Sequence, residues 1–254
     1  MTTFTIYASA NDHYITSTDA TYSNARSGAG SKTDDSSGTS LFVGQLYPGG
    51  SYSVYQAFLS FDTSSVPAIS PDSIELALYL GAASLTSTKQ FNASERSWSG
   101  GAGDFVAGAS LSGLSGFGSR NFTNGEAAGY KAFPGPSDVA RTSAYKLIVY
   151  ANDQQTNTVP TSADRLIFSS ADTSGTTQDP KLTITITYKL TAAAGAYTLT
   201  GMPALLTYGK RLVAAAGSFL LTGIAAAMGI KRYPPAGRTI NFPASTLETR
   251  TLEL

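Results

Sequence analysis

The stretch Tyr55-Gln56-Ala57-Phe58-Leu59-Ser60-Phe61, followed by Asp62-Thr63-Ser64-Ser65-Val66-Pro67, decides the fold class. Tyr55, Ala57, Leu59 and Phe61 recur at every second position, the period that places side chains on one face of an extended strand. The Asp, Ser and Pro residues that follow are turn formers. The run therefore predicts a strand ending in a turn. Leu59 and Phe61 are expected in the inner core, with Phe58 and Ser60 on the opposite face and Ser60 behaving as a surface position.

The next run outward, Ile74-Glu75-Leu76-Ala77-Leu78-Tyr79-Leu80, repeats the alternation with Ile74, Leu76, Leu78 and Leu80 inward, and Gly81 closes it. Weaker signals of the same kind lie at Leu41–Gly44, Ala144–Tyr150, Arg165–Phe168 and Leu182–Tyr188. Many short strands separated by Gly, Ser and Asp turns predict an all-β fold, a jelly-roll β-sandwich. Between them, Ser97–Ser119 carries seven glycines and few large apolar residues apart from Trp98. It is expected to be a long surface loop, the kind of segment on which function tends to sit.

Composition narrows the function classes. A chain of 254 residues has ample length for a hydrophobic core. The absence of cysteine excludes disulfide frameworks, thiolate metal sites and thiol nucleophiles. Charged residues make up only 13% of the chain, 17 basic against 17 acidic, so there is no net field to draw in nucleic acid. With 14 Tyr, 12 Phe and abundant Ser, Thr and Gly, the composition favours strands and tight turns. The opening Met1-Thr2-Thr3-Phe4-Thr5-Ile6-Tyr7 has no basic or long apolar signal region, so export by that route is not expected.

After Lys189 the composition shifts to Ala-Ala-Ala-Gly tracts, which places a boundary between a sandwich at 1–189 and a C-terminal arm at 190–254. Ala192–Gly201 recurs as Ala214–Gly223, which aligns Tyr197 with Phe219 and Leu199 with Leu221, and each unit ends in a basic pair, Lys210-Arg211 and Lys231-Arg232. A degenerate third unit starts at Ala236-Gly237. This is an internal repeat. Tyr197–Thr200 and Phe219–Thr222 are read as short β-arms. A unit of this length cannot bury its own apolar face. Tyr197, Leu199, Leu205, Phe219, Leu221 and Ile224 are therefore the candidate partner-binding residues, each able to contribute about 1.5–3 kcal/mol once buried.

The sandwich at 1–189 resembles the DNRLRE-type domain, a jelly-roll β-sandwich of cell-surface and secreted proteins related to some carbohydrate-binding modules. The resemblance rests on Asp12, Tyr14, Asp19 and Tyr22, on Gln56–Asp62 followed by Ser64–Pro67, on Ile74–Leu80 and on Pro180–Tyr188. The family usually carries an Arg where Gln56 stands, and its Trp-Thr-Glu stretch is only echoed by Glu95 and Trp98, so ligand chemistry does not carry over. The tail is similar to the Ala-Gly-x-Tyr-x-Leu-Thr-Gly repeats of phage virion proteins, whose chains finish on a motif like Pro243-Ala244 and Arg250-Thr251. Together these resemblances imply a non-enzymatic bacteriophage structural protein, a capsid decoration (cement) protein or an exposed head or tail component. Its expected location is the virion, and its expected partners are other virion proteins and copies of itself. The alternative is a carbohydrate-binding module that recognises surface glycans through Tyr, Trp98 and Asn side chains.

Other signals are weaker. His13, the single histidine, reads as a turn residue, since no Ser-His-Asp set assembles around it. Asp12, Asp19, Asp34 and Asp35 lie in stretches read as polar loops and could offer oxygens to calcium, but without an EF-hand spacing. No cofactor is expected beyond that. Leu212–Ile230 is an uninterrupted run of uncharged residues, near the length of a membrane span. The equivalent stretch of the first repeat contains Tyr197, Thr198, Thr200, Pro203 and Thr207, which argues for the arm reading instead.

Overall fold

The structure, a computed structural model, describes residues 1–172 and 175–187 and, further on, the backbone of the three short strands Tyr197–Leu199, Phe219–Leu221 and Thr251–Leu252. The chain divides into two compact units, Met1–Thr187 and Tyr188–Leu254.

The first unit is an all-β sandwich. In chain order it comprises β1 (Thr2–Tyr7), β2 (His13–Asp19), helix α1 (Tyr22–Ser27), β3 (Ser31–Asp35), β4 (Ser40–Leu46), β5 (Tyr52–Phe61), β6 (Ser73–Ser84) and β7 (Lys89–Glu95). Two 3-10 turns, Ala102–Asp104 and Gly108–Gly113, precede β8 (Ser115–Phe122). There follow β9 (Gly129–Pro134), β10 (Tyr145–Ala151), helix α2 (Asn152–Thr156), β11 (Ala163–Ser169) and β12 (Lys181–Ile186).

The 12 strands are hydrogen-bonded into one sheet that curls over on itself. One layer runs β3-β2-β5-β10-β7-β8 and the other β1-β12-β6-β11-β4, with β9 on the free edge of β6. The turn between layers is built by β5. One of its edges takes β2, while the other takes β4 near Tyr55 and β10 near Leu59. Between the layers lie Leu59, Phe61, Leu76, Leu78 and Leu80, all buried. At their centre the Phe122 ring meets Phe91, Phe133 and Phe168 at centroid distances of 5.5, 5.9 and 6.0 Å. The alternation expected for Ile74, Leu76, Leu78 and Leu80 is present along β6, but Gly81 does not close the strand, which runs on to Ser84 because Ala82–Ser84 pair with β11.

The outward face expected for Phe58 and Ser60 is not outward. Both are buried, Phe58 completely. Phe58 joins Ile15, Val54, Ile148 and Tyr150 in a second core on the far side of the β2-β5-β10 layer, covered by Tyr22 and Ala25 of α1 and by Trp98, Phe105, Val106 and Leu111. The segment read as a surface loop thus supplies a lid. Its glycines hid the pattern, because its apolar anchors are spaced by 3-10 turns and not by a strand or helix period.

Three glutamines with no exposed surface lie around this core, and one of them, Gln56, ties the lid down. Gln56 accepts from the Val106 N–H at 2.9 Å and donates to the Val106 carbonyl at 2.8 Å, closing a two-point clamp between β5 and the lid. Gln154 of α2 donates to the carbonyls of Gly44 and Tyr55, and Gln45 donates to the Thr158 carbonyl while accepting from the Tyr22 hydroxyl. Buried amides are stable only when so satisfied. Gly44 has to be glycine here: its φ is +124°, and a Cβ would lie 2.2 Å from the Asp164 carbonyl oxygen.

In the second unit, β13 (Tyr197–Leu199) pairs in parallel with β14 (Phe219–Leu221), and β15 (Thr251–Leu252) adds antiparallel to β14. Tyr197 faces Phe219 and Leu199 faces Leu221 in the register, so the pairing matches each residue to its counterpart in the sequence repeat. A parallel pair needs a long connection, and the residues between Leu199 and Phe219 provide one.

Candidate functional site

At one end of the second core the first unit opens into a cleft of about 730 Å³. Its back wall forms where β2 begins beside β5. His13, the first residue of β2, is opposite Phe58 in the register, and their rings stack at 5.0 Å and 8°. Trp98 of the lid meets His13 edge-on at 4.8 Å. Lys146 of β10 donates to the Trp98 carbonyl at 2.6 Å and places its ammonium 4.4 Å from the centre of the indole ring. His13 is therefore a buried strand residue and not a turn residue.

The polar chemistry of the wall is incompletely paired. His13 Nδ1 lies 3.1 Å from the Asn11 carbonyl oxygen, which can only accept, so Nδ1 carries the hydrogen. Its other ring nitrogen, Nε2, lies 3.8 Å from Asp34 Oδ1. Ser9 Oγ, His13 Nε2 and Trp98 Nε1 are buried without a hydrogen-bond partner. Asp34, Asp62 and Lys146 line the same cleft, together with hydroxyls from Ser9, Ser36, Ser60, Ser99 and Ser143. Tyr7, more than a third exposed, stands at the rim.

A second, shallower groove of about 410 Å³ crosses β7 and β8. Gln90, Asn92 and Ser94 of β7 share its face with Tyr150, Asn152 and Gln155, and no Asp, Glu, His, Lys or Arg lines it.

The four aspartates considered for calcium separate. Asp34 faces His13, while Asp19 accepts from Thr21 and Asn24 at the start of α1. Asp35 accepts from the Ser37 N–H, and Asp12 accepts from the Ala171 N–H at 2.8 Å. Asp34 and Asp35 belong to β3 and Asp19 ends β2, so only Asp12 lies in a loop, and there it is buried. Burial pushes the Asp12 carboxyl up to about 7 against the pull of the Ala171 N–H, with Asp172 and Asp179 adding to the rise. Among the described residues no group of three His, Asp or Glu side chains is placed to hold a metal ion.

Of the candidate partner-binding residues, Tyr197 and Leu199 lie in β13 and Phe219 and Leu221 in β14. Leu205 and Ile224 lie outside the described residues, as do most of Leu212–Ile230 and the third repeat unit. Among the described residues no helix is long and apolar enough to cross a membrane. The juxtaposition of His13 and Trp98 was missed in the sequence, where the two are far apart and share no local spacing. The one signal available was that each is the sole residue of its type. Compared with known proteins, the chain matches no family model and no curated sequence.

Proposed function

We propose that this chain is a structural display protein of a bacteriophage particle, a capsid decoration protein or an exposed head or tail component. In this reading the arm at 190–254 attaches to other virion proteins, and the sandwich projects. The observation that carries it is the pairing of β13 with β14 in the register of the sequence repeat, Tyr197 against Phe219 and Leu199 against Leu221. Two repeat units contribute equivalent rungs to one small sheet, yet strands this short are not stable without a larger surface to pack on. A shell or tail surface supplies that partner. The sandwich also closes its two cores within Met1–Thr187, as a projecting unit needs. The resemblance of residues 1–189 to the DNRLRE-type domain belongs to the same proposal and is supported by the sandwich itself.

The test is deletion of residues 188–254 in the producing phage. The truncated chain should be made and remain soluble but be missing from particles banded by density. A truncated chain that still bands with particles at the full-length level would overturn the attachment role of the arm.

A further inference from the structure

Across the neighbouring strands β3-β2-β5-β4-β11 one face of the sheet carries only two charged side chains, and they lie on the two outermost of these strands. Register fixes which residues share it. Asp35 of β3 is opposite Tyr14, Thr16 is opposite Tyr55, Tyr55 is opposite Gly44, and Gly44 is opposite Arg165 of β11. At the centre the rings of Tyr14 and Phe42 meet at 4.9 Å, Phe42 and Tyr55 at 5.8 Å, and Tyr14 and Tyr55 at 6.3 Å, all three partly exposed.

Arg165 lies over this cluster, its guanidinium 5.1 Å from the centre of the Phe42 ring and 5.9 Å from that of Tyr55. Among the described residues it has no hydrogen-bond acceptor and no carboxylate within reach. A guanidinium held over aromatic rings with its donors unused is preset for a carboxylate brought by another molecule. At the other end of the face stands one: burial and the Asp35 carboxylate beside it push the Tyr14 hydroxyl up to about 12.

We propose that this face is the contact between two copies of the sandwich, packed about a two-fold axis along β5, with Arg165 of each copy paired to Asp35 of the other. This goes beyond attachment of the arm and does not rest on it.

The position of the two charges selects a second copy as the partner. A two-fold contact has to be complementary to itself. Rotation about β5 exchanges the two sides of the face, so β3 of one copy lies over β11 of the other. Asp35 shares a row with Tyr14 and Ala57, and Ile167 with Phe42, so Asp35 comes to lie over Ile167 of the second copy. Arg165 is two residues along β11 from there, about 7 Å, which its side chain spans. The same rotation sets Tyr14 over Phe42 and Tyr55 over its own counterpart, aromatic contacts of the kind that anchor interfaces. Like charges nowhere meet. Five strands about 4.8 Å apart and about 17 Å long give a plan area of roughly 400 Å² per copy, which suits a reversible dimer more than a permanent one.

The test is sedimentation velocity of the full-length chain over a concentration series. The parent is expected to show a reversible monomer–dimer equilibrium that weakens as salt rises. Arg165→Asp alone and Asp35→Arg alone each set like charges against one another and should weaken it at least about tenfold. An equal mixture of the two variants restores both opposite-charge pairs in a mixed dimer, so association should return to within about threefold of the parent. The milder Arg165→Gln and Asp35→Asn should each weaken association without recovery on mixing, and Asn92→Ala, in the groove across β7 and β8, should change nothing. A parent that stays monomeric at every concentration, or association that none of the Arg165 and Asp35 variants weakens, would overturn the proposal. So would charge-reversed variants that keep the parent melting curve but do not recover on mixing. None of these outcomes bears on whether the chain joins a particle.

Discussion

The imidazole of His13 lies flat against the ring of Phe58, 5.0 Å away and 8° from parallel, although both positions appear in sequence to face water. That contact exists because β5 is buried on both sides. Leu59 and Phe61 enter the core between the layers, and Val54 and Phe58 enter the second core beneath the lid.

Truncation of either face should then cost a similar amount. Leu59→Ala is expected to destabilise by about 2–5 kcal/mol and Phe58→Ala by about 3–5 kcal/mol, through lost burial and the cavities left behind. Denaturant unfolding of the two variants checks this. A Phe58→Ala variant within about 0.5 kcal/mol of the parent, as at a surface site, would contradict the second core.

The Gln56 clamp makes a different prediction. Gln56→Leu removes both partners of Val106 and leaves its buried N–H and carbonyl unpaired, which costs on the order of 2–4 kcal/mol. The loss should be reported locally as well as globally. Trp98 emission is expected to shift to longer wavelength below the main transition, as the lid loosens before the sandwich unfolds. A single coincident transition with an unshifted native spectrum would show that the clamp does not hold the lid.

Asp12 gives the stability a pH dependence of definite sign. Its carboxyl is raised to about 7 in the folded chain from an ordinary 3.8, so between those values the folded state keeps a proton that the unfolded state has lost. The stability it contributes is full below about pH 4 and falls as pH rises towards 7, by an amount on the order of 4 kcal/mol. Asp12→Asn, which does not titrate, should be more stable than the parent at pH 8 and flatten this fall between pH 4 and 7. Parallel pH profiles for the two proteins would contradict it.

The parts of this fold legible in sequence are those where one face is apolar and the other is not. Ile74, Leu76, Leu78 and Leu80 announce β6 because their neighbours Glu75 and Tyr79 are not fully buried. On β5 the same alternation pointed to the right inner face but misassigned the other, because a strand covered on both sides carries residues such as Gln56 and Ser60 whose burial depends on distant partners. The lid was illegible for a related reason. Trp98, Phe105, Val106 and Leu111 follow no regular period, and their common destination is set by tertiary contacts with α1, β2, β5 and β10. The cleft was illegible because His13, Asp34, Trp98 and Lys146 come from four separate segments.

The sandwich should also stand alone. Residues 1–187, expressed without the arm, are expected to give a β-type circular dichroism spectrum and one cooperative melt, because their contacts close within that unit. A helical or unfolded spectrum would contradict this.

The display function is tested most directly by quantitative mass spectrometry of density-purified, salt-washed particles, with the chain measured against the major shell protein. An attached structural component should be present in every preparation at one fixed copy ratio that survives high salt. Absence of the chain, or a trace amount that varies between preparations and washes away, would contradict its place in the virion.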